Sequence, residues 1–213
     1  MGVIKRGILG GFSNKVANVV GSSWKGIAYM RAMPLSVANP RTVGQINQRT
    51  KFGTISAFAS GIVGGWIQPL WNRFAVQASG FNDFVRVNLE FVDTDGEVSY
   101  SLLSMSRGKL LNIAGGGIMG APAAGDSTIA RNWSNNTGTG NALASDRVHL
   151  VAYNVEQKKW STAVSGQRTN TQLTVQFEDD FVSGDVIYTY MATRRLDGTM
   201  VSNSIDNTIT IVD

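Results

Sequence analysis

Residues 147–154 read RVHLVAYN, the first of five short stretches in the closing third of the chain that look like β-strands. The others are KWSTAVS (159–165), TQLTVQFE (171–178), DVIYTYMATRR (185–195) and NTITIVD (207–213). Leu173, Val175 and Phe177 alternate with polar residues, which predicts a strand with one buried face. Strands at this even spacing favour an antiparallel sandwich of immunoglobulin or fibronectin type. The Asp197–Gly198 pair predicts a turn before the last strand.

The same alternation predicts two further strands within residues 83–103. The apolar positions are Val85, Val87, Leu89 and Phe91, then Val98, Tyr100 and Leu102 after the turn signal DTDG (93–96). We therefore expect the sandwich to span residues 81–213. The glycine-rich segment 107–128 and the polar segment 131–146 are predicted to be long loops.

A helical segment is predicted over residues 39–80. Asn39 is a good N-cap residue, and Pro40 suits the first helical position. Apolar residues then recur at helical spacing at Ile55, Phe58, Ala59, Ile62 and Trp66. Several glycines weaken this helix, so it needs packing partners, and they allow a neighbouring helix or chain to approach it closely.

Residues 1–38 are predicted to form an arm that contains a short β-hairpin. Valines precede the turn formers Gly21–Ser23, and Trp24, Ile27 and Tyr29 follow them. An isolated hairpin is marginally stable at best, so this one must pack on something else.

Charge is distributed unevenly along the chain. Residues 1–82 contain nine Lys or Arg and no Asp or Glu, whereas residues 83–213 carry a net charge of −5. This pattern predicts that the beginning of the chain contacts a polyanion such as nucleic acid, or the acidic C-terminal part of the same subunit or of the next copy. The candidate contact residues are Lys5, Arg6, Lys15, Lys25, Arg31, Arg41, Arg49 and Lys51.

The sequence contains few residues that could carry catalysis or bind a metal. It contains no cysteine, which excludes disulfides and thiolate chemistry, and His149 is the single histidine, placed among apolar neighbours in a predicted strand. We therefore expect no enzyme, no cofactor, no metal site and no membrane partner. Trp133 and Trp160 lie in or near predicted loops and are the candidates for ligand contact.

Five phrases resemble a family of proteins found in Bacteroidota genomes and their phages, whose function is not known. They are GILGGFSNKVANVVGSSWKGIAYMR (7–31), NPRTVGQINQRTKF (39–52), SLLSMSRGKL (101–110), WSNNTGTGNALASDRVHLVAYN (133–154) and GTMVSNS (198–204). The second phrase is also similar to one in small structural proteins encoded among phage head and tail genes. That similarity implies a role in a virion, with the protein made in the host cytoplasm.

Three functions are left open by this reasoning. The first is a self-assembling structural subunit of a phage particle, in capsid, neck, tail or decoration, whose partners are copies of itself and other virion proteins. The second is an extracellular or surface binding module of immunoglobulin type. The third is a nucleic-acid-binding protein, which is compatible with the first if the arm faces a packaged genome.

Overall fold

The protein is described here by a computed structural model that covers residues 2–3, 13–36, 39–120 and 122–213. The chain forms two compact units, Met1–Thr42 and Val43–Asp213, which we call the N-terminal unit and the body. The described chain is mostly β, with three antiparallel sheets and a few helices. The immunoglobulin or fibronectin type of sandwich stays a prediction.

The N-terminal unit contains a four-stranded antiparallel sheet in the order β1-β4-β3-β2. Its strands are β1 (Gly2–Val3), β2 (Asn14–Val16), β3 (Val19–Trp24) and β4 (Ile27–Ala32). The predicted turn at Gly21–Ser23 is wrong, because these residues lie in the middle of β3. The β3–β4 turn is Lys25–Gly26, whose φ angles of 48° and 80° match the left-handed turn that suits the twist of a hairpin.

The body begins with helices. They are α1 (Val43–Ser60), a π-helix (Val63–Ile67), α2 (Gln68–Trp71) and α3 (Gly80–Asn88), followed by a 3₁₀ turn (Leu89–Phe91). The prediction of one helix starting at Pro40 is therefore wrong, since α1 begins at Val43 and two further α-helices follow it. The predicted apolar stripe is confirmed, because Ile55, Phe58, Ala59, Ile62 and Trp66 are all buried.

Helix α3 replaces the first of the two strands predicted within residues 83–103. Ser79 caps it by accepting a hydrogen bond from the amide of Asn82, and the residues that α3 buries recur at helical rather than strand spacing. The second predicted strand is also wrong, since Tyr100–Leu102 forms a 3₁₀ turn. Of the predicted hairpin, the turn at 93–96 and a single antiparallel bridge, Val92 to Val98, are present.

Eight strands make up the rest of the body. They are β5 (Ile118–Met119), β6 (Thr128–Asn132), β7 (Arg147–Asn154), β8 (Lys159–Trp160), β9 (Val164–Gln167), β10 (Gln172–Gln176), β11 (Val186–Arg194) and β12 (Ile205–Thr210). The five stretches predicted to be strands between residues 147 and 213 are confirmed. They form the six strands β7 to β12, because KWSTAVS (159–165) is divided between β8 and β9. Strands β5 and β6 lie partly in segments that we predicted to be loops.

The five-stranded sheet has the order β12-β11-β7-β8, with β9 also paired to β7, and its central strands β7 and β11 are buried on both faces. On one face, Val151, Tyr153 and Tyr190 pack with the apolar residues of the helices. On the other face, Leu150, Ile187 and other alternate residues pack with the three-stranded sheet β10-β6-β5. The body is therefore layered as helices, large sheet and small sheet.

A buried ion-pair cluster fixes the long loops to the large sheet. The Asp146 carboxylate lies 3.3 Å from a terminal nitrogen of Arg168 and 2.9 Å from Nε of Arg195, and the side chains of Asp146 and Arg168 are fully buried. Arg168 also donates to the backbone carbonyls of Leu111 and Asn112. Because these carbonyls belong to the predicted loop 107–128, that loop is held along part of its length.

We predict that Asp146→Asn destabilises the protein by roughly 3–5 kcal/mol, because it leaves the buried Arg168 without its counter-charge. Denaturant unfolding measures this loss. The control is Asp179→Asn, which removes a partner from the exposed Lys159–Asp179 pair and should change stability little. Equal effects of the two substitutions would contradict the assigned role of the buried cluster.

His149 is buried in β7, opposite Ala192 of β11 and Ser165 of β9. Burial, and then the positive charges of Arg194 and Arg147, lower the pKa of its imidazole from 6.5 to about 4. The side chain is therefore neutral near pH 7 in the folded protein.

This lowered pKa makes stability depend on pH. The unfolded chain binds a proton at His149 near pH 6.5 and the folded protein does so only near pH 4, so stability is complete above pH 6.5 and falls as the pH drops towards 4. The loss amounts to about 3 kcal/mol at most. We expect His149→Gln to remove this contribution, measured as the difference in unfolding free energy between pH 7 and pH 4.5. Identical pH profiles for variant and wild type would show that His149 does not titrate in this way.

Candidate docking surfaces

The register of the N-terminal sheet sorts its side chains onto two faces. Val16, Val19 and Ala32 form one directly opposed row across β2, β3 and β4, and Met30 lies on the same face. The other face, which we call the Trp24 face, carries three rows. They are Lys15–Val20–Arg31, Ser22–Tyr29 and Trp24–Ile27.

Large apolar side chains on both faces of this sheet are exposed. Trp24 is 63% exposed and Ile27 is 52% exposed, and together they form the last pair before the Lys25–Gly26 turn. The ammonium of Lys25 lies 4.9 Å from the centroid of the Trp24 ring, within cation–π distance. Among the described residues of the N-terminal unit, Gly21 alone is buried.

The predicted basic contact residues do not form one patch within a single unit. Lys5 and Arg6 lie outside the described residues. Lys15 and Arg31 share a row of the Trp24 face, and Lys25 lies in its turn. Arg41 is exposed near the end of the N-terminal unit, whereas Arg49 and Lys51 belong to α1 of the body.

The two tryptophans predicted to contact a ligand have different environments. Trp133 is only 4% exposed and its Nε1 donates to the carbonyl of Arg168, so its ring has no surface to offer a ligand. Trp160 is half-buried, and its Nε1 donates to the carbonyl of Phe58 at the end of α1. Of the two tryptophans, only Trp160 has ring surface that a ligand could contact.

Trp160 lies in a groove of ≈ 660 Å³ whose base is aromatic. Its ring centroid is 4.6 Å from that of Phe58 and 4.7 Å from that of Tyr153, and the Tyr100 ring is 5.5 Å from the Tyr153 ring. We call this the aromatic groove. Three exposed charged residues also line it, Glu97, Glu156 and Lys158.

Burial raises the pKa of the Tyr100 and Tyr153 phenols above their ordinary value, so both are neutral at physiological pH. The acidic and basic residues that line the groove are two glutamates and one lysine. An aromatic base beneath a carboxylate rim suits a cation or an amphipathic aromatic side chain. Nothing in the local sequence patterns around residues 58, 97, 100, 153, 156 and 160 brings these positions together, which is why sequence reasoning missed the groove.

A glycine in the segment after α1 allows that segment to form a wall of the groove. A Cβ built on Gly61 would lie 2.4 Å from Cδ1 of Trp160, and one built on Gly65 would lie 2.7 Å from Cβ of Ala163. Close approach by a neighbouring helix or chain is predicted for the glycines of this segment; at Gly61 and Gly65 the β8–β9 region approaches instead, and a Cβ built on Gly44, Gly53 or Gly64 would meet nothing within 4 Å. Both Gly61 and Trp160 contribute to the lining.

A second hollow, of ≈ 440 Å³, collects positive charge on the body. Lys51 lines it together with Arg86 and Arg107, two cations that the sequence analysis did not select, and with the single carboxylate of Glu90. Arg86 is paired with Asp83 at 2.6 Å. This hollow gives the body a weakly basic surface that is separate from the aromatic groove.

Neither a metal site nor a membrane segment is found within the described ranges. No three His, Asp or Glu residues there are grouped so that they could hold a metal ion. None of the helices in those ranges combines the length and the apolar character that a membrane crossing requires.

Comparison with known proteins places the chain in a family. No curated protein matches it. A computationally redesigned β-sandwich protein is similar at 13% sequence identity and a TM-score of 0.36, covering 49% of this chain and 93% of its own, a likeness too distant to support a conclusion. Residues 11–207, nearly the whole chain, match a family of unknown function, DUF6266. The chain therefore belongs to the DUF6266 family.

Proposed function

We propose that the protein is a non-enzymatic structural subunit that assembles with copies of itself through its N-terminal unit. The observation that carries this proposal is the lack of a core among the described residues of that unit. Its described residues form a sheet with exposed valine, tryptophan, isoleucine and methionine side chains, and only Gly21 among them is buried. A small sheet of this kind needs a hydrophobic face covered by another element to be stable.

The distribution of charge supports a second copy of this chain as the partner. The N-terminal unit has six Lys or Arg and no acidic side chain, and the body carries a net charge of −2, so the N-terminal unit of one copy is electrostatically complementary to the body of another. A contact between two different surfaces of identical chains is head-to-tail, and it builds rings or open arrays. The similarity of residues 39–52 to phage structural proteins supports a virion as the setting of this assembly. We also keep the immunoglobulin-like sandwich as the proposed fold type of the body.

The central prediction is that full-length protein forms concentration-dependent oligomers and that residues 43–213 do not. The fragment contains every residue of both apolar clusters, so it is expected to fold. Size exclusion with light scattering measures both masses, and far-UV circular dichroism confirms that the fragment is folded. Assembly of the fragment equal to that of the full chain would overturn the proposal.

A matched pair of substitutions tests the same point in the full chain. Val16 of the N-terminal sheet and Val182 of the body are both 61% exposed, so Val→Ser removes the same apolar group from each. We expect Val16→Ser to weaken self-association by about tenfold, since burial of such a side chain contributes about 1.5 kcal/mol or more. Val182→Ser should have no effect.

Nucleic-acid binding is the second candidate, favoured by the composition of the Trp24 face. Lys15 and Arg31 lie on this face with Tyr29 and Trp24, a combination of cations and aromatic rings that binds strands through phosphates and stacked bases. Binding to a labelled oligonucleotide should then weaken with salt, with a log–log slope of about −0.7 to −0.9 per phosphate contacted. A salt-independent signal, or no binding at low salt, would reject this function.

A further inference from the structure

Resting on the proposed self-assembly, we infer that the aromatic groove of one copy is the receptor for the Trp24–Ile27 hairpin tip of another copy. The inference assigns the two surfaces that meet in the head-to-tail contact. It also gives the groove an occupant of stated chemistry, a tryptophan and an isoleucine flanking a lysine.

The shape of the hairpin tip suits insertion into a groove. Trp24 and Ile27 are directly opposed in the register and point to the same face, and the two-residue turn between them leaves the end of the hairpin narrow. Lys25 lies at the turn, with its ammonium over the Trp24 ring. Tryptophan is among the residue types most often found at the energetic centre of protein interfaces.

The groove offers the complementary chemistry. The half-buried rings of Tyr100 and Trp160 offer surface to an incoming side chain, and the buried rings of Tyr153 and Phe58 pack against them. Aromatic pairs favour edge-to-face or offset contact with an incoming ring. Glu97 and Glu156 are exposed along its lining and can face the ammonium of Lys25, with Lys158 as the one opposing charge. The formal charge of the lining is therefore −1, opposite to that of the tip.

The size of this contact sets its expected strength. A buried tryptophan contributes 150–250 Å², whereas a stable protein interface buries at least about 1,000 Å² in total. The tip alone therefore makes a weak contact, so the other exposed side chains of the N-terminal sheet, on the Trp24 face and on the opposite face that carries Val16, must add to the buried area. Because each copy offers one tip and one groove, weak contacts repeat along an assembly and strengthen one another.

Charge reversal in the full chain tests the pairing without altering the buried rings. The tip variant is Lys25→Glu, and the groove variant is Glu97→Lys with Glu156→Lys. All three side chains are exposed. A control with the same change of charge elsewhere on the body is Glu178→Lys with Asp180→Lys. Sedimentation velocity gives the association constant of each protein, alone and in equimolar mixtures.

We expect the tip variant and the groove variant each to self-associate about tenfold or more weakly than the wild type, because each places like charges opposite one another. The control variant should associate as the wild type does. When the tip and groove variants are mixed, every contact between unlike copies again joins opposite charges. The mixture should therefore recover association, as should a single chain that carries all three substitutions.

The outcomes separate this inference from the proposed function. If the wild type and Val16→Ser behave as predicted above but the groove variant associates normally, self-assembly stands and the groove assignment is wrong. If the triple variant recovers but the mixture does not, the tip lies in the groove of its own chain, which overturns the contact between copies. If the wild type does not self-associate at any concentration, both proposals fail together.

A substitution of the tip itself provides an independent measurement. The tip variant is given the further substitution Trp24→Ala and is then mixed with the groove variant. Association should not recover in this mixture, because the Trp24 ring is the group that fills the base of the groove. The change leaves the body untouched, so the unfolding transition of the body should stay as in the wild type. Retained association in the mixture would show that the ring does not enter the groove.

Discussion

Burial of the large sheet on both faces is the constraint on which the body depends. Every position of β7 after Arg147 is buried, so the sheet needs one layer on each side. The helices supply the first layer, and the small sheet supplies the second. Buried polar groups of the body are paired internally: Asp146 forms ion pairs with Arg168 and Arg195, and the carbonyl of Met105 accepts hydrogen bonds from the indoles of Trp66 and Trp71. The same layering places the end of α1 against Trp160 and thereby forms the aromatic groove.

Much of the body could be predicted from the sequence because its signals are local. Strand β7 runs over residues 147–154 as predicted, and the apolar stripe from Ile55 to Trp66 is buried as its helical spacing indicated. The failures have physical causes. Residues 80–91 are rich in β-branched and aromatic residues and alternate in polarity, yet the capping hydrogen bond to Ser79 and packing against α1 and α2 override that preference. The amide of Asn88 then holds Ser104 through two hydrogen bonds, so the returning segment is joined to α3 by a side chain rather than by a strand ladder.

The candidate surfaces were less predictable, because they depend on contacts between distant segments. The basic bias of the first 82 residues is visible in the composition, but the position of each cation on a face follows from the turns at Ala17–Asn18 and Lys25–Gly26. Each turn holds one residue type that commonly marks a hairpin, Asn18 or Gly26, beside one that does not, Ala17 or Lys25, so the register was not evident. The aromatic groove draws on α1, the 93–102 segment, β7 and β8, and no linear motif connects them. Trp160 was selected for its place near a loop, whereas its importance comes from the rings that surround it.

The two units differ in what holds them together, and this difference is central to the functional proposal. The body has two apolar clusters and a buried ion-pair cluster, whereas the described part of the N-terminal unit has exposed side chains on both faces of its sheet. Hydrogen exchange followed by mass spectrometry, at protein concentrations below and above the onset of association, tests the proposal most directly. We predict that the amides of residues 14–32 exchange rapidly in dilute protein and become protected as concentration rises, while β7 and β11 are protected throughout. Equal protection of residues 14–32 at all concentrations would show that the sheet is stabilised within its own chain and would contradict the account.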